Sequence, residues 1–154
     1  MKRRATAGFS LIEMLVVIAI VGVLAAMAIP GFMNSMNSYR FSGAVAASTG
    51  AIQATRFQAI MQGYPYQLVF TSSSLSYQVS NQVPPATSFS AVGSAIPIAR
   101  HGDVTLNVTT MTYTFSPNGT VTAAPAGTNL QISNGVSSNT LTVSGVGNVT
   151  VTSP

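Results

Sequence analysis

The chain of 154 residues contains no cysteine and very few ionisable side chains. Without cysteine, neither a disulfide framework nor a thiolate metal site can form. Charged residues make up 5% of the sequence, far below the proportion of about 25% that is usual in soluble domains. Serine, threonine, asparagine and glutamine therefore have to supply most of the polar surface of the molecule.

The supply of acid–base groups is too small for most enzymatic sites. The chain has one histidine, His101, and two carboxylates, Glu13 and Asp103. Because Glu13 lies in an apolar N-terminal segment, no carboxylate pair is available for acid–base chemistry. A three-ligand metal centre, or a calcium site of clustered carboxylates, would need more His, Asp or Glu. We therefore predict that the protein is not an enzyme and has no metal, cofactor or small-molecule substrate.

The densest polar cluster is Arg100-His101-Gly102-Asp103. A Ser–His–Asp triad through His101 and Asp103 is conceivable from composition alone. Residues this close in sequence, beside a glycine, more commonly form a solvated turn with a weak ion pair, because exposed pairs contribute little free energy. The interpretation as a turn is the one we adopt.

The formal charge of +4 is concentrated at the N-terminus. Residues 2–4 are Lys-Arg-Arg, and the other three cations are Arg40, Arg56 and Arg100. Nucleic-acid binding usually depends on several clustered cations that release counterions. A nucleic-acid partner is therefore not expected, and the side chains that could stack on bases are interpreted as packing residues. These are Tyr39, Tyr64, Tyr66 and Tyr77.

From Phe9 to Ile29 the chain is apolar except for Ser10, Glu13 and Gly22. A helix rising ~1.5 Å per residue would extend roughly 30 Å over this stretch, which matches the hydrocarbon core of a bilayer. The basic residues just before it should keep the N-terminus in the cytoplasm and place the remainder outside. Residues 9–29 are therefore predicted to span a membrane once.

Two ordinary explanations of this segment are less satisfactory. A removable secretory signal should carry its small-residue cleavage site after the apolar stretch, whereas Ala5-Thr6-Ala7 precedes it. The sequence Ile29-Pro30-Gly31-Phe32, which follows the stretch, is a poor site. A simple uncut anchor is the second alternative, but neither alternative explains the charge on Glu13.

A carboxylate inside a membrane helix is costly unless it has a partner. If the chain is cut between Gly8 and Phe9, the new Phe9 ammonium lies one helical turn from Glu13. Within one chain, the carboxylate then meets the positive end of the helix. Between chains, it can pair with the Phe9 ammonium of a neighbouring subunit, so we predict that Glu13 serves filament assembly.

The stretch "GFSLIEMLVVIAIVGVLAAMAIP" resembles the N-terminus of type IV pilins and type II secretion pseudopilins. The resemblance implies that residues 1–8 are a leader, removed after Gly8 by a prepilin peptidase that then methylates the Phe9 amine. It implies a bacterial inner-membrane protein whose apolar helices later pack as the core of a periplasmic filament. Gly22 and Pro30 fall where that superfamily weakens its helix.

After the membrane segment, a helical pattern continues over residues 30–62. Pro30 cannot donate to the carbonyl of Ala26, so we expect the helix to loosen or bend there. Gly63 and Pro65 provide a stop signal. The aromatic and methionine residues of this segment are expected in the core rather than in a cofactor site. One apolar stripe recurs at steps of three and four, and comprises Phe41, Val45, Ser48, Ile52, Thr55 and Ala59.

In residues 63–154, apolar residues alternate with Ser, Thr, Gln or Asn, a pattern typical of antiparallel strands. The predicted strands are PYQLVF, SLSYQVS, DVTLNVT, TYTFS, NLQIS, TLTVSG and NVTVTS. The sequence "SPNGT" at 116–120 predicts the tip of a hairpin. The expected fold is therefore α+β, with one long N-terminal helix packed against an antiparallel β-sheet head, as in pilins.

The order of helix, "TRFQAIMQGYPYQLVF", "FSPNG" and two closing strands around "GVGN" is similar to the GspH/FimT group of minor pilins and pseudopilins. DNA-binding members carry a basic Gly-Arg motif near the C-terminus, where this chain has Gly147-Asn148-Val149. The resemblance implies a minor pseudopilin of a type II secretion system. The alternatives are a minor type IV pilus subunit, acting in assembly, twitching or DNA uptake, and a membrane-anchored enzyme or receptor.

Overall fold

A computed structural model of the protein describes residues 9–100, 102–127 and 129–153. Over these residues the chain forms one helix followed by a series of β-strands. It divides into two compact units, and the boundary falls between Met36 and Asn37. The second unit contains both β-sheets and the C-terminal part of the helix, and it is called the head below.

The helix, α1, spans Leu11–Gln62. At its start, the Ser10 carbonyl accepts hydrogen bonds from the backbone N–H groups of Glu13 (3.0 Å) and Met14 (3.2 Å). At its end, Gly63 adopts a left-handed φ of 74° and donates its N–H to the Ala59 carbonyl at 3.1 Å. This is the glycine C-cap that the sequence predicts, because glycine adopts a positive φ without a Cβ clash.

The strands of the described chain are all antiparallel to their neighbours. They are β1 Tyr66–Thr71, β2 Ser76–Asn81, β3 Ser90–Ala91, β4 Ile96–Pro97, β5 Thr105–Leu106, β6 Thr110–Phe115, β7 Val121–Ala124, β8 Leu130–Ser133, β9 Ser138–Val143 and β10 Val149–Thr152. Sheet 1 has the order β3-β2-β1-β6-β7, with β4 also paired to β2, and sheet 2 has the order β10-β9-β8-β5. The predicted α+β class is therefore confirmed.

The core is built from residues that alternate along the strands. In sheet 1, the buried Leu68 of β1 lies opposite the buried Tyr113 of β6. In sheet 2, the buried Leu130 and Leu141 face each other across β8 and β9. Because strand side chains alternate between faces, this register directs one apolar face of each sheet into a common cluster with the buried residues of α1.

The apolar stripe predicted on the second half of α1 is confirmed, since all six of its residues are buried. Two of them carry hydroxyl groups that bond within the helix. Ser48 Oγ donates to the Ala44 carbonyl at 2.9 Å, and Thr55 Oγ1 donates to the Ala51 carbonyl at 2.7 Å. Both hydroxyl groups therefore satisfy a hydrogen bond without interrupting the apolar contact.

The expectation that the other aromatic and methionine residues of this segment pack in the core is wrong for six of them, because Phe32, Met33, Met36, Tyr39, Phe57 and Met61 are all exposed. Tyr39, Phe57 and Met61 are 78%, 63% and 65% exposed, respectively. They lie away from the positions of the stripe, and a helix can bury only the arc that faces the sheets. The other three tyrosines do pack as predicted, with Tyr66 buried and Tyr64 and Tyr77 packed against the core.

The hairpin predicted at 116–120 joins β6 to β7. Ser116 N–H donates to the Thr120 carbonyl at 2.9 Å, and Gly119 N–H donates to the Ser116 carbonyl at 2.9 Å. Gly119 has a φ of 83°, as the third residue of such a loop requires. All seven predicted strand segments contain a strand, but β3, β4 and β7 were not predicted from the sequence.

Candidate functional site

The N-terminal part of α1 is the most unusual surface of the molecule. Every residue from Phe9 to Ile29 is exposed in the single chain, although almost all are apolar. Among the described residues, α1 is the one helix long and apolar enough to cross a membrane. A helix that is apolar all round needs lipid or other protein around it, so this segment is the candidate site of anchoring and assembly.

Glu13 stands in the first turn of α1, and Phe9 lies just before the helix, 76% exposed. Ser10 precedes the first helical residue, so Ser10 and Glu13 occupy the first and last positions of the pattern S-x-x-E. This pattern is the signature of a capping box, in which the glutamate satisfies a free backbone N–H at the helix start. The spacing of Ser10 and Glu13 therefore gives Glu13 a second candidate role at the helix start, beside the predicted role in assembly.

Three further residues were predicted to act in or beside this segment. Gly8, on the leader side of the predicted cut, lies outside the described residues. Gly22 and Pro30 both lie within the single helix Leu11–Gln62. The predicted weakening of the helix at these two positions stays a prediction.

The polar turn near residue 100 is held by a long-range contact. Asp103 N–H donates to the Arg100 carbonyl at 3.1 Å, and Gly102 has a φ of 93°, so the predicted turn is present. The Asp103 carboxylate pairs with Arg40 of α1, with 3.3 Å between Arg40 Nη1 and Asp103 Oδ1. The weak ion pair expected within the cluster is therefore made to the helix instead, while His101 lies outside the described residues.

The arginines of the head have separate surroundings. Arg40 is paired with Asp103, Arg100 is exposed, and Arg56 is half-buried beneath two glycine turns. A Cβ built on Gly119 would lie 3.6 Å from Arg56 Nη2, and one built on Gly147 would meet the side chain of Arg56 still more closely. The turn that contains Gly147 is part of the "GVGN" segment, so the side chain of Arg56 lies against both hairpin tips.

One open groove of the head has a volume of about 620 Å³. It lies between residues 38–42 of α1 and the β8–β9 hairpin, and Ser153 completes one side. Serine hydroxyl groups dominate its lining, and none of its lining residues is ionisable. It therefore offers hydrogen bonds but no acid, base or nucleophile activated by a neighbouring charge.

Two tyrosines of the head have raised pKa values. Burial raises the pKa of Tyr113 to about 12, although the backbone of Leu130 opposes part of the shift. The pKa of Tyr64 is raised chiefly because its protonated hydroxyl donates to the Tyr66 side chain, and the two rings stack with 5.5 Å between centroids. Neither phenol lies beside a candidate catalytic group.

Comparison with known families agrees with this division of the chain. The exposed apolar helix and its head define a pilin-like subunit, and residues 3–29 match the model of the prokaryotic N-terminal methylation motif. Residues 44–147, more than half of the chain, match the model of the type II transport protein GspH. The protein therefore belongs to the GspH family of pilin-like proteins.

One curated relative gives further support. The "Type IV major alpha-pilin" of Moraxella bovis is 42% identical over 57 residues, which are 35% of this chain and 36% of the relative. The chain thus spans about a third of the length of that protein. No solved structure gives a significant match.

Proposed function

We propose that the protein is a minor pseudopilin, a structural subunit of the periplasmic pseudopilus of a type II protein secretion system. The observation that carries the proposal is the joining, in one chain, of a wholly exposed apolar segment to a head of the GspH family. The exposed segment needs a lipid or protein environment, and a filament core of packed helices supplies one after the subunit leaves the membrane.

The proposed life cycle has two stages. In the first, residues 9–29 hold the subunit in the bacterial inner membrane, with the N-terminus cytoplasmic and with helical residues 30–62 and β-rich residues 63–154 periplasmic. A prepilin peptidase removes residues 1–8 after Gly8 and methylates Phe9. In the second stage, Glu13 pairs with the Phe9 amine of a neighbouring pilin or pseudopilin as the helices pack into a filament.

Mass spectrometry of the N-terminus, on protein purified from native membranes, tests the first stage. We expect a chain that begins at Phe9 and carries one methyl group on its α-amine. An intact Met1, or a chain that begins near Phe32, would contradict the proposal. Deletion of the peptidase gene provides the control, since the full leader should then remain attached.

A minor subunit of a type IV pilus is the second candidate function. The identity shared with the Moraxella bovis pilin favours it, because that relative is described as a pilus subunit. Deletion of the gene distinguishes the two candidates. Loss of exported proteins from the medium with normal surface pili supports the pseudopilin, whereas loss of pili or twitching with normal export supports the pilus subunit.

A further inference from the structure

Two Asn-Gly pairs occur in the sequence, and each lies in a hairpin loop of the head. Asn118-Gly119 lies between β6 and β7, and Asn134-Gly135 lies between β8 and β9. An asparagine followed by glycine can react with its own backbone, because a residue without a Cβ lets its N–H approach the preceding side-chain amide. Whether either pair reacts therefore depends on how the fold holds the glycine N–H.

The glycine of the first pair is held and covered. Gly119 is buried, and its N–H donates to the Ser116 carbonyl at 2.9 Å. Arg56 and Ile60 of α1 cover this loop, since each has a side-chain atom 3.6 Å from the position of a Cβ on Gly119. The nitrogen that would attack Asn118 is therefore hydrogen-bonded and shielded from solvent, and it becomes free only when the loop opens.

The glycine of the second pair is open. Gly135 is exposed, and a Cβ built on it would meet nothing within 4 Å. Its N–H donates at 3.2 Å to Ser133 Oγ, a hydroxyl that can rotate away between staggered rotamers. The next residue, Val136, is 94% exposed, so the tip of this loop reaches into solvent. The nitrogen of Gly135 can therefore leave its hydrogen-bond partner more readily than that of Gly119.

We propose that Asn134 is a site of spontaneous deamidation and that the fold protects Asn118 from the same reaction. Solvent removes the proton from the Gly135 N–H, and the nitrogen attacks Cγ of Asn134 to close a succinimide ring. The Cγ–Nδ2 bond breaks, and the amide nitrogen takes up a proton from solvent and leaves as ammonia. One water molecule then adds across a C–N bond of the ring, which opens to aspartate or isoaspartate.

The two products differ in their effect on the loop. Oδ1 of Asn134 accepts the N–H groups of Val136 at 3.0 Å and Ser137 at 2.7 Å, and an aspartate oxygen can accept the same bonds. Isoaspartate instead adds a carbon to the main chain, which displaces the loop relative to β9. Either product places a negative charge within residues 104–153, which otherwise have no charged side chain. The loop also borders the groove beside residues 38–42, so the rim of that groove becomes charged.

Peptide mapping by mass spectrometry tests the proposal on the full-length chain in detergent micelles. The chain is kept at mildly alkaline pH, and the deamidated fraction at each asparagine is followed with time. We expect Asn134 to react roughly tenfold faster than Asn118, which is the factor that one hydrogen bond can contribute to a rate. Equal rates at the two positions, or a faster reaction at Asn118, would overturn the proposal.

The same measurement in urea shows whether the fold or the local sequence sets this order. Both asparagines are followed by glycine, so their rates should converge once the head is unfolded. An unchanged preference for Asn134 in the unfolded chain would mean that the fold does not protect Asn118, and it would contradict the proposal.

Ile60→Ala and Met61→Ala form a matched pair of variants. Ile60 Cδ1 covers Gly119, whereas Met61, its neighbour on α1, is 65% exposed. We expect Ile60→Ala to raise the rate at Asn118 without changing that at Asn134, and Met61→Ala to change neither. An unaltered Asn118 rate in Ile60→Ala would count against protection by α1. The proposal does not depend on the proposed secretion function, since it concerns only two loops of the head.

Discussion

Arg56 shows how one side chain can connect three segments of the head. Its side chain projects from α1 beneath the turns that contain Gly119 and Gly147. Its Nε is buried without a hydrogen-bond partner among the described residues. A buried donor without a partner costs free energy, so packing of the aliphatic part of Arg56 under the turns has to offset that cost.

The first prediction concerns this contact. Gly147→Ala should lower the free energy of unfolding by roughly 1–3 kcal/mol, because the new Cβ meets Arg56 and a φ of 76° is unfavourable for alanine. Gly145→Ala, two residues away in the same turn, is the matched control, since a Cβ there meets nothing within 4 Å. Urea unfolding of the full-length chain in detergent, followed by circular dichroism, measures both.

If the clash with Arg56 contributes to the cost, Gly147→Ala should be less harmful in an Arg56→Ala background. The difference between the two backgrounds gives the coupling energy of the pair, which isolates the contact from the backbone strain. Equal losses for Gly147→Ala and Gly145→Ala would contradict this account of the turn.

Tyr113 gives a prediction about pH. Its side chain is buried, its hydroxyl has no hydrogen-bond partner among the described residues, and its pKa is about 12. The unfolded chain loses this proton near the ordinary tyrosine pKa of about 10. The folded form binds the proton more tightly than the unfolded chain. The contribution of this proton to the free energy of unfolding is therefore complete below pH 10 and is lost as the pH rises to about 12.

In the Tyr113→Phe variant, the part of the stability loss at alkaline pH that comes from Tyr113 should disappear. We expect the variant to unfold less readily than the wild type above pH 10, by on the order of 1–2 kcal/mol at pH 12. Below pH 9 the two chains should differ little, because the hydroxyl has no partner to lose. Identical pH profiles for the two chains would show that Tyr113 does not carry the effect.

At the scale of elements, α1 has two faces that differ sharply in the head. Ile52 lies in the buried stripe and is 0% exposed, whereas Phe57 on the same helix is 63% exposed. The helix itself is weakened by Gly43 and Gly50, because glycine is a poor helix former. Burial of the stripe against the sheets therefore has to stabilise this part of α1.

Substitution of these two residues separates burial from helix propensity. Ile52→Ala should reduce the free energy of unfolding by about 2–5 kcal/mol, because it leaves a cavity in the core. Phe57→Ala removes a larger side chain, yet it should cost the head less than about 1 kcal/mol, since little of that side chain is buried. Thermal unfolding of the full-length variants measures both losses of stability. A larger loss for Phe57→Ala than for Ile52→Ala would mean that the face carrying Phe57 also packs within the chain.

The hairpin tips at residues 116–120 and 144–148 have the same hydrogen-bond pattern. In the 116–120 and 144–148 segments, a serine accepts the N–H of a glycine three residues later at 2.9 and 2.8 Å. Gly119 and Gly147 both have the positive φ that follows a type I turn in a three-residue loop. The "SPNGT" pattern predicts the first of these turns directly, while "SGVGN" is less specific because it has two glycines.

At the scale of the whole molecule, the apolar N-terminal segment and the head differ in the charges that they carry. Outside residues 1–8, Glu13 is the charge of the apolar segment, and the head carries Arg40, Arg56, Arg100 and Asp103, of which Arg40 and Asp103 form an ion pair. The pair is 43% exposed at Arg40 and 18% exposed at Asp103, so we expect it to contribute less than about 1 kcal/mol. The prediction for assembly concerns Glu13, the one charge of the apolar segment.

We expect Glu13→Ala to be inserted and cleaved normally but to enter filaments poorly, because it cannot pair with the Phe9 amine of a neighbour. Ser10→Ala provides the control for the capping box, as it weakens the helix start without removing the charge. The fraction of subunit recovered in sheared filaments, relative to the membrane fraction, measures assembly. Normal incorporation of Glu13→Ala would refute the pairing, and equal defects in both variants would assign Glu13 to capping alone.

Local patterns in the sequence were enough to predict several features of this protein. The buried stripe of α1, the C-cap at Gly63, seven strand segments and the hairpin at 116–120 all depend on residues near one another in the chain. Helical and strand periodicity, and the positive φ of glycine, act over a few residues. The apolar segment with Glu13 was equally visible, because its composition alone marks it as unusual.

Other features depended on the tertiary structure. The partner of Asp103 is Arg40, 63 residues away, and no local pattern relates the two positions. The same holds for Arg56 beneath Gly147, and for the two-residue strands β3 and β4, which exist because β2 offers them an edge. Local preferences determine which segments become helix or strand, but only the closed fold decides which side chains from distant segments meet, since those contacts form when the sheets and helix bury a common core.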